Sequence, residues 1–170
     1  MSVTIRSEET ADTEAITRLT ELAFRTAPHS SNTEQFMVNA LRRAGQLTIS
    51  LVAEEAGEIV GHVAISPVEI SSGVAGWYGL GPISVNPEHQ GKGIGSQLVT
   101  TALAELKRLG GLGCVLLGEP AYYSRFGFRV YPGLELPGIP QEYFQALPLY
   151  QGGEVPTGSV RFHEAFEATE

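Results

Sequence analysis

The sequence is short of residues that would tie a fold together covalently or hold a metal. Cys114 is the one cysteine in 170 residues. An intrachain disulfide is therefore excluded, and a reducing cytoplasm is the expected location. The four histidines are His29, His62, His89 and His163. They are scattered without metal-ligand spacing, so no metal is expected. No stretch approaches the roughly 18 uninterrupted apolar residues of a membrane span. The polar, charged residues 1–9 lack the apolar core of a signal peptide. Positive charge is scarce as well: 11 Lys and Arg stand against 19 Asp and Glu, a net charge of −8. Nucleic-acid binding needs a basic patch, and none is visible. Gly-x-Ser-x-Gly and a Ser-His-Asp arrangement are also absent, which removes the usual serine-hydrolase reading.

What remains describes a globular protein. Hydrophobic residues make up 42% and charged residues 18%. That balance and this length suit one domain, residues 1–170, with a core large enough to need no staple. Residues 3–7 alternate as a strand. Residues 12–24 carry Ile16, Leu19 and Ala23 at helical spacing, with Thr10 or Asp12 as the cap. Ser31 and Glu34 have capping-box spacing ahead of a second helix. Residues 47–54 and 58–70 read as two antiparallel strands around a Gly57 turn. Trp77–Val85 reads as another strand. Pro82 cannot donate to a ladder, so that strand should bulge or splay near its end. A helix follows from Gly93, then an apolar strand at residues 113–118 and a short helix at 120–126. Residues 128–131 read as a strand, 132–157 as a packed but loop-rich stretch, and 159–166 as a last strand.

The informative segment is residues 83–95, Ile-Ser-Val-Asn-Pro-Glu-His-Gln-Gly-Lys-Gly-Ile-Gly. A strand runs into a glycine-rich loop that opens a long amphipathic helix. The first N–H groups of a helix have no internal partners, and its dipole is positive there. Glycines let a phosphate approach the backbone, and Lys92 adds a point charge. A P-loop, Gly-x-x-x-x-Gly-Lys-[Ser/Thr], does not match, because Gly93 follows Gly91-Lys92 where Ser or Thr is needed. A dinucleotide fingerprint fails at Ser96. The remaining match is Gln90-x-x-Gly93-x-Gly95.

That pattern resembles the coenzyme A signature, [Gln/Arg]-x-x-Gly-x-[Gly/Ala], of the GNAT N-acetyltransferase superfamily. Ile83-Ser84-Val85-Asn86-Pro87 is similar to the end of the family's preceding strand. Tyr122-Tyr123-Ser124-Arg125-Phe126-Gly127-Phe128 looks like its downstream aromatic segment. Residues 118–123 with Gly158, Val160, Phe162, Ala165 and Phe166 resemble a YhbS-like subgroup of predicted acetyltransferases. The resemblance implies an α/β fold: a mixed, strongly twisted sheet of about six or seven strands with helices on both faces.

The resemblance also implies a chemistry. Acetyl-CoA is the co-substrate, and the acceptor is an amine of a small molecule, a peptide N-terminus or a lysine. Backbone at Ile83, Ser84 and Val85 would pair with the pantetheine arm. Gln90, Gly91, Lys92, Gly93, Ile94, Gly95 and Ser96 would hold the diphosphate. Tyr123 matches the family's general-acid tyrosine and adjoins the coenzyme's sulfur. Some relatives carry a basic glutamate on the strand here read as Trp77–Val85, which has no acidic residue. Glu119 is the first candidate base, with Glu69 and His62 behind it; each also reads as an ordinary surface or loop residue, and a water relay into bulk solvent would serve equally. The missing carboxylate keeps a second class open, a catalytically weak acyl-CoA sensor. Many relatives pair, which makes a second copy of the chain an expected partner. Cys114 and Trp77 read as core residues.

Overall fold

The computed structural model describes residues 2–28 and 30–170, so the expectation for His29 lies outside the described residues. The chain divides into two compact units. One holds the residues up to Ser66 with Gly81–Ala102 and Glu164–Glu170; the other holds Pro67–Leu80 and Leu103–His163.

In the first unit β1 (Thr4–Ser7) pairs antiparallel with β2 (Ile49–Glu55), and β2 with β3 (Glu58–Ile70). Ala56 and Gly57 make the hairpin, both at positive φ, 52° and 79°. That two-residue geometry matches the twist of the strands it joins. Strand alternation then sorts the faces. Val52 packs with Ile16 of α1 (Thr13–Phe24) and Val38 of α2 (Glu34–Arg43). Ala53 and Gly61 face the other way, toward α3 (Ile94–Arg108). A Cβ at Gly61 would come within 2.9 Å of Leu98 and 3.0 Å of Ile94.

The caps differ from expectation. Asp12 stands at the N-cap of α1, but its carboxylate is taken by Arg6 at 2.8 and 3.1 Å and by the Glu9 amide at 2.7 Å. Thr33, not Ser31, is the N-cap of α2. Glu34 nevertheless accepts from the Ser31 amide, at 3.3 Å.

In the second unit the first residues of β4 (Trp77–Val85) pair parallel with β5 (Gly113–Leu117), in the register Trp77–Gly113 to Gly79–Val115. β5 pairs antiparallel with β7 (Phe144–Pro148), and the end of β3 with β8 (Gly158–Phe162). The two-residue β6 (Leu134–Glu135) runs parallel to β8. The short helix α4 (Pro120–Tyr123) follows β5. Val68, Trp77, Val115, Phe144 and Val160 are central to this unit's core. Strand order is β1-β2-β3-β4-β5-β7, with β8 on β3 and β6 on β8. The sheet is mixed as expected, and among the described residues it has eight strands where about six or seven were expected.

Two strand expectations need correction. Residues 128–131 form no strand, only an isolated bridge between Arg129 and Ala146. Pro132 and Gly133 stop the chain from extending there, and the partner of β5 is β7, drawn from the stretch read as loop. The last strand ends at Phe162, and Glu164–Glu167 close into a 3-10 turn.

The close approach at Gly61 makes a prediction. Gly61→Val should cost about 1–3 kcal/mol of stability, the usual range for overpacking a filled core. A lower urea midpoint with an unchanged slope is the expected result.

Candidate active site

β4 continues to Val85, but its pairing with β5 goes no further than Gly79. Pro82, lacking an amide hydrogen, lies in the part beyond. Ser84 is buried there, 2% exposed. Asn86 then turns the chain: its Oδ1 accepts from the Glu88 amide at 2.9 Å, and its carbonyl from the His89 amide at 2.8 Å. Gln90 reaches back, donating through Nε2 to the Val85 carbonyl at 3.3 Å.

The loop from Gln90 to Gly93 is exposed. Gly91 and Gly93 sit at φ of 79° and 81°, the left-handed region that favours glycine. The Gly93 carbonyl accepts from the Gln97 amide at 3.1 Å, so α3 starts immediately after it. The amides of Ile94 and Gly95 fall in the first turn, where no carbonyl four residues back is available. Ile94 itself is buried against the sheet, 2% exposed. The expected anion-binding residues thus share one unit: an exposed loop at residues 90–93, open space beside Gly91 and Gly93, and the positive end of a fifteen-residue helix. A diphosphate fits that chemistry.

Tyr123 lies in the other unit. A Cβ on Gly118 would come within 2.4 Å of its ring, so the phenol rests on bare backbone at the end of β5. Phe128 and Tyr122 pack edge-on against it, at ring separations of 6.1 and 4.9 Å. Burial, then Tyr122, pushes its hydroxyl up to about 12, so it is protonated at neutral pH. Gln145, 1% exposed, donates to the Gly118 carbonyl at 3.0 Å and steadies that turn. Gln145 was not visible as a site residue in the sequence, because it arrives from β7.

Glu119 is exposed at the N-cap of α4. Its carbonyl, not its carboxylate, accepts the Tyr122 and Tyr123 amides, both at 3.1 Å. Glu69 is exposed and pairs with Arg161. Cys114 is buried, and burial pushes its thiol up, which suits a packed residue and not a nucleophile. Trp77 is core: its indole covers Gly113, where a Cβ would meet the ring at 2.3 Å. Among the described residues no three His, Cys, Asp or Glu side chains gather as metal ligands.

His62 is the unexpected one. It is fully buried on β3, on the α1–α2 face, with Nε2 at 2.8 Å from Ser50 Oγ. Ser50 also bonds the Glu8 carboxylate. Arg42 grips the same carboxylate with Nε at 2.9 Å and Nη2 at 2.7 Å, and reaches Asn39 at 2.8 Å. Burial holds the imidazole down at about 4, with Arg42 adding to that and Glu8 opposing it. Glu8 is pushed up by burial but held below its usual range overall by Arg42 and Ser50.

Comparison with known proteins decides what this arrangement belongs to. The profile of the acetyltransferase (GNAT) domain matches residues 46–130. The uncharacterized N-acetyltransferase YhbS of Escherichia coli K12 is 36% identical over 168 residues, spanning 95% of this chain and 97% of that one. This chain belongs to the GNAT N-acetyltransferase family. Two solved family structures are similar over nearly the whole length. A GNAT acetyltransferase from Brucella melitensis, in complex with acetyl-CoA, is 46% identical with a TM-score of 0.86, covering 97% of this chain and 98% of that one. YhbS from Escherichia coli, in complex with CoA, is 34% identical, also with a TM-score of 0.86, covering 99% and 93%. Among the described residues no helix is long and apolar enough to cross a membrane.

The buried histidine makes a prediction. Between pH 6.5 and about 4 the unfolded chain takes up a proton that folded His62 refuses. Stability is therefore full above that window and is lost as pH falls through it, by up to about 3 kcal/mol. Urea midpoints measured across the window should fall in the native protein and fall less in His62→Gln.

Proposed function

We propose that this chain transfers the acetyl group of acetyl-CoA to a primary amine by direct attack, and that residues 1–170 form one acetyltransferase domain. The observation that carries the reading is the exposed glycine loop opening α3, held on the sheet by Ile94 and Leu98. The complexes of the relatives with acetyl-CoA and CoA support it. Acetyl-CoA supplies the activated acyl group as a thioester. The chain's own part is to bind, orient and move protons. Amides from Gln90 to Ser96 hold the diphosphate, and Lys92 adds charge at its rim. Backbone at Ile83, Ser84 and Val85 aligns the pantetheine arm as an added strand would. The Ile83 amide donates to the thioester carbonyl, where negative charge develops. Tyr123, protonated, donates toward the departing sulfur. The acceptor is a small-molecule amine, a peptide N-terminus or a lysine.

A second reading keeps two observations in its favour. β4 carries no carboxylate, and Glu119 is exposed. A catalytically weak module that senses acyl-CoA would need no base. Turnover of acetyl-CoA with a panel of amines separates the two: release of free thiol above the hydrolytic rate supports the enzyme.

Two variants test the site. Gly95 lies inside the first turn of α3, where an acidic residue favours the helix. Gly95→Glu should therefore fold normally yet lose acetyl-CoA affinity by about 10²-fold or more, since the carboxylate opposes the diphosphate at short range. Unchanged affinity by calorimetry refutes the loop assignment. Tyr123→Phe keeps the ring on Gly118 but removes its proton. It should lower kcat by about 10²–10⁴ with little change in coenzyme affinity. Tyr122→Phe should be nearly silent, and ionisation of Tyr123 should contribute no alkaline limb below about pH 10. Equal behaviour of the two variants removes Tyr123 from the mechanism.

A further inference from the structure

Gln145 is a polar side chain in an apolar place. It is 1% exposed on β7, between Phe144 and Ala146, each 2% exposed, and it stands opposite Leu116 of β5, also 1% exposed. Its orientation follows from its neighbours. Nε2 lies 3.0 Å from the Gly118 carbonyl and 3.5 Å from the Tyr143 carbonyl. A carbonyl only accepts, so the amide nitrogen must face both. Oε1 is then turned away, buried, with no donor among the described residues. A buried acceptor without a donor is costly and calls for a reason. A methionine of similar shape would fill the space without that cost, so what the glutamine adds is its pair of N–H donors.

Those donors act on one residue at the end of β5. The Gly118 amide donates to the Tyr143 carbonyl at 3.0 Å, and the Gly118 carbonyl accepts from Gln145. Both peptides flanking Gly118 are therefore tied to residues 143–145. The residue type with the most backbone freedom is held on both sides. The Tyr123 ring occupies the space a Gly118 side chain would need: a Cβ there would come within 2.4 Å of Cε2. The next residue, Glu119, accepts the Tyr123 amide on its carbonyl at 3.1 Å. A rotation at Gly118 would move the surface under the ring and the start of α4 together.

We propose that Gln145 is a positioning residue for the acid step: by holding both peptides of Gly118 it fixes the bare surface under the Tyr123 ring and, with it, the direction of the phenol hydroxyl. This rests on the reading of Tyr123 as the donor toward the departing sulfur. Gln145 works through Gly118 and Tyr123 and moves no proton itself. The residue type is restricted for the same reason. An ionised glutamate would set a carboxylate against two carbonyls, neither of which can donate to it. An asparagine, one methylene shorter, would fall short of the Gly118 carbonyl. A methionine donates nothing.

A double-mutant cycle tests this, because a residue that acts only through Tyr123 has nothing to act on once the hydroxyl is gone. With the fastest acceptor of the amine panel, Gln145→Met should lower kcat by about 10-fold or more, and by no more than Tyr123→Phe does. Combined with Tyr123→Phe it should lower kcat no further. Acetyl-CoA affinity, measured by calorimetry, should be unchanged in Gln145→Met. Full kcat in Gln145→Met overturns the proposal, and so does an equal fold-loss with and without the Tyr123 hydroxyl. Parallel losses in kcat, coenzyme affinity and melting temperature also overturn it, in favour of a packing role. If Gln145→Met does not fold, Gly118→Ala decides, since its Cβ displaces the ring directly. A kcat loss that vanishes in the Tyr123→Phe background is then expected, and full kcat overturns the proposal. Full kcat in Tyr123→Phe removes the acid and its positioning together but leaves the acetyltransferase reading standing. A native protein that neither binds nor turns over acetyl-CoA overturns that reading and the positioning with it.

Discussion

At Gly61 the sheet has no side chain, and Leu98 and Ile94 of α3 occupy the space where one would be. The helix lies against backbone there, and Ala53 on β2 completes the contact. Ile94 is also the first residue of α3. The contact that packs the helix therefore also sets where its N-terminus ends, and with it the direction of the loop amides. A helix free to shift by an ångström would move every donor in the loop together. Because Leu98, Val99, Ala102 and Leu106 are all buried, α3 has little freedom to do so.

How much could be read beforehand follows from how local each feature is. The loop from Gln90 to Gly95 was legible because its chemistry is written in consecutive residues: two glycines at positive φ, a capping Asn86, and a helix pattern starting at once. Tyr123 was legible through its resemblance, but the reason for its position was not. Its ring lies on Gly118, and Gly118 is braced by Gln145 from a strand missed in the sequence. That strand, β7, has alternation too weak to stand out between Pro140 and Pro148. The nearby residues 128–131 looked better, with Phe128 and Val130, yet Phe128 turns into the core and only Arg129 makes a bridge.

The His62 network was the least legible part. Glu8, Arg42, Ser50 and His62 come from the end of β1, from α2, and from two strands, with sequence separations of 34, 42 and 12 residues between bonded partners. Each residue alone reads as a solvated or ordinary polar group. Only the pairing of β1 on β2 and β2 on β3 collects them, and the register decides it. A shift of one residue would turn His62 from the α1–α2 face to the face of Gly61 and α3. The single-residue irregularity between Ala53 and Glu54 lies just past the His62 pair and leaves that register intact.

The proposed phosphate recognition rests on backbone amides, so on that reading most side chains in the loop could change provided Gly91 and Gly93 keep their left-handed geometry. The net charge of −8 bears on the same reading. An acidic surface does not attract a polyanionic coenzyme, so on that proposal the loop's amides and Lys92 have to supply the attraction. It does favour an approaching alkylammonium, the acceptor that the proposed reaction needs.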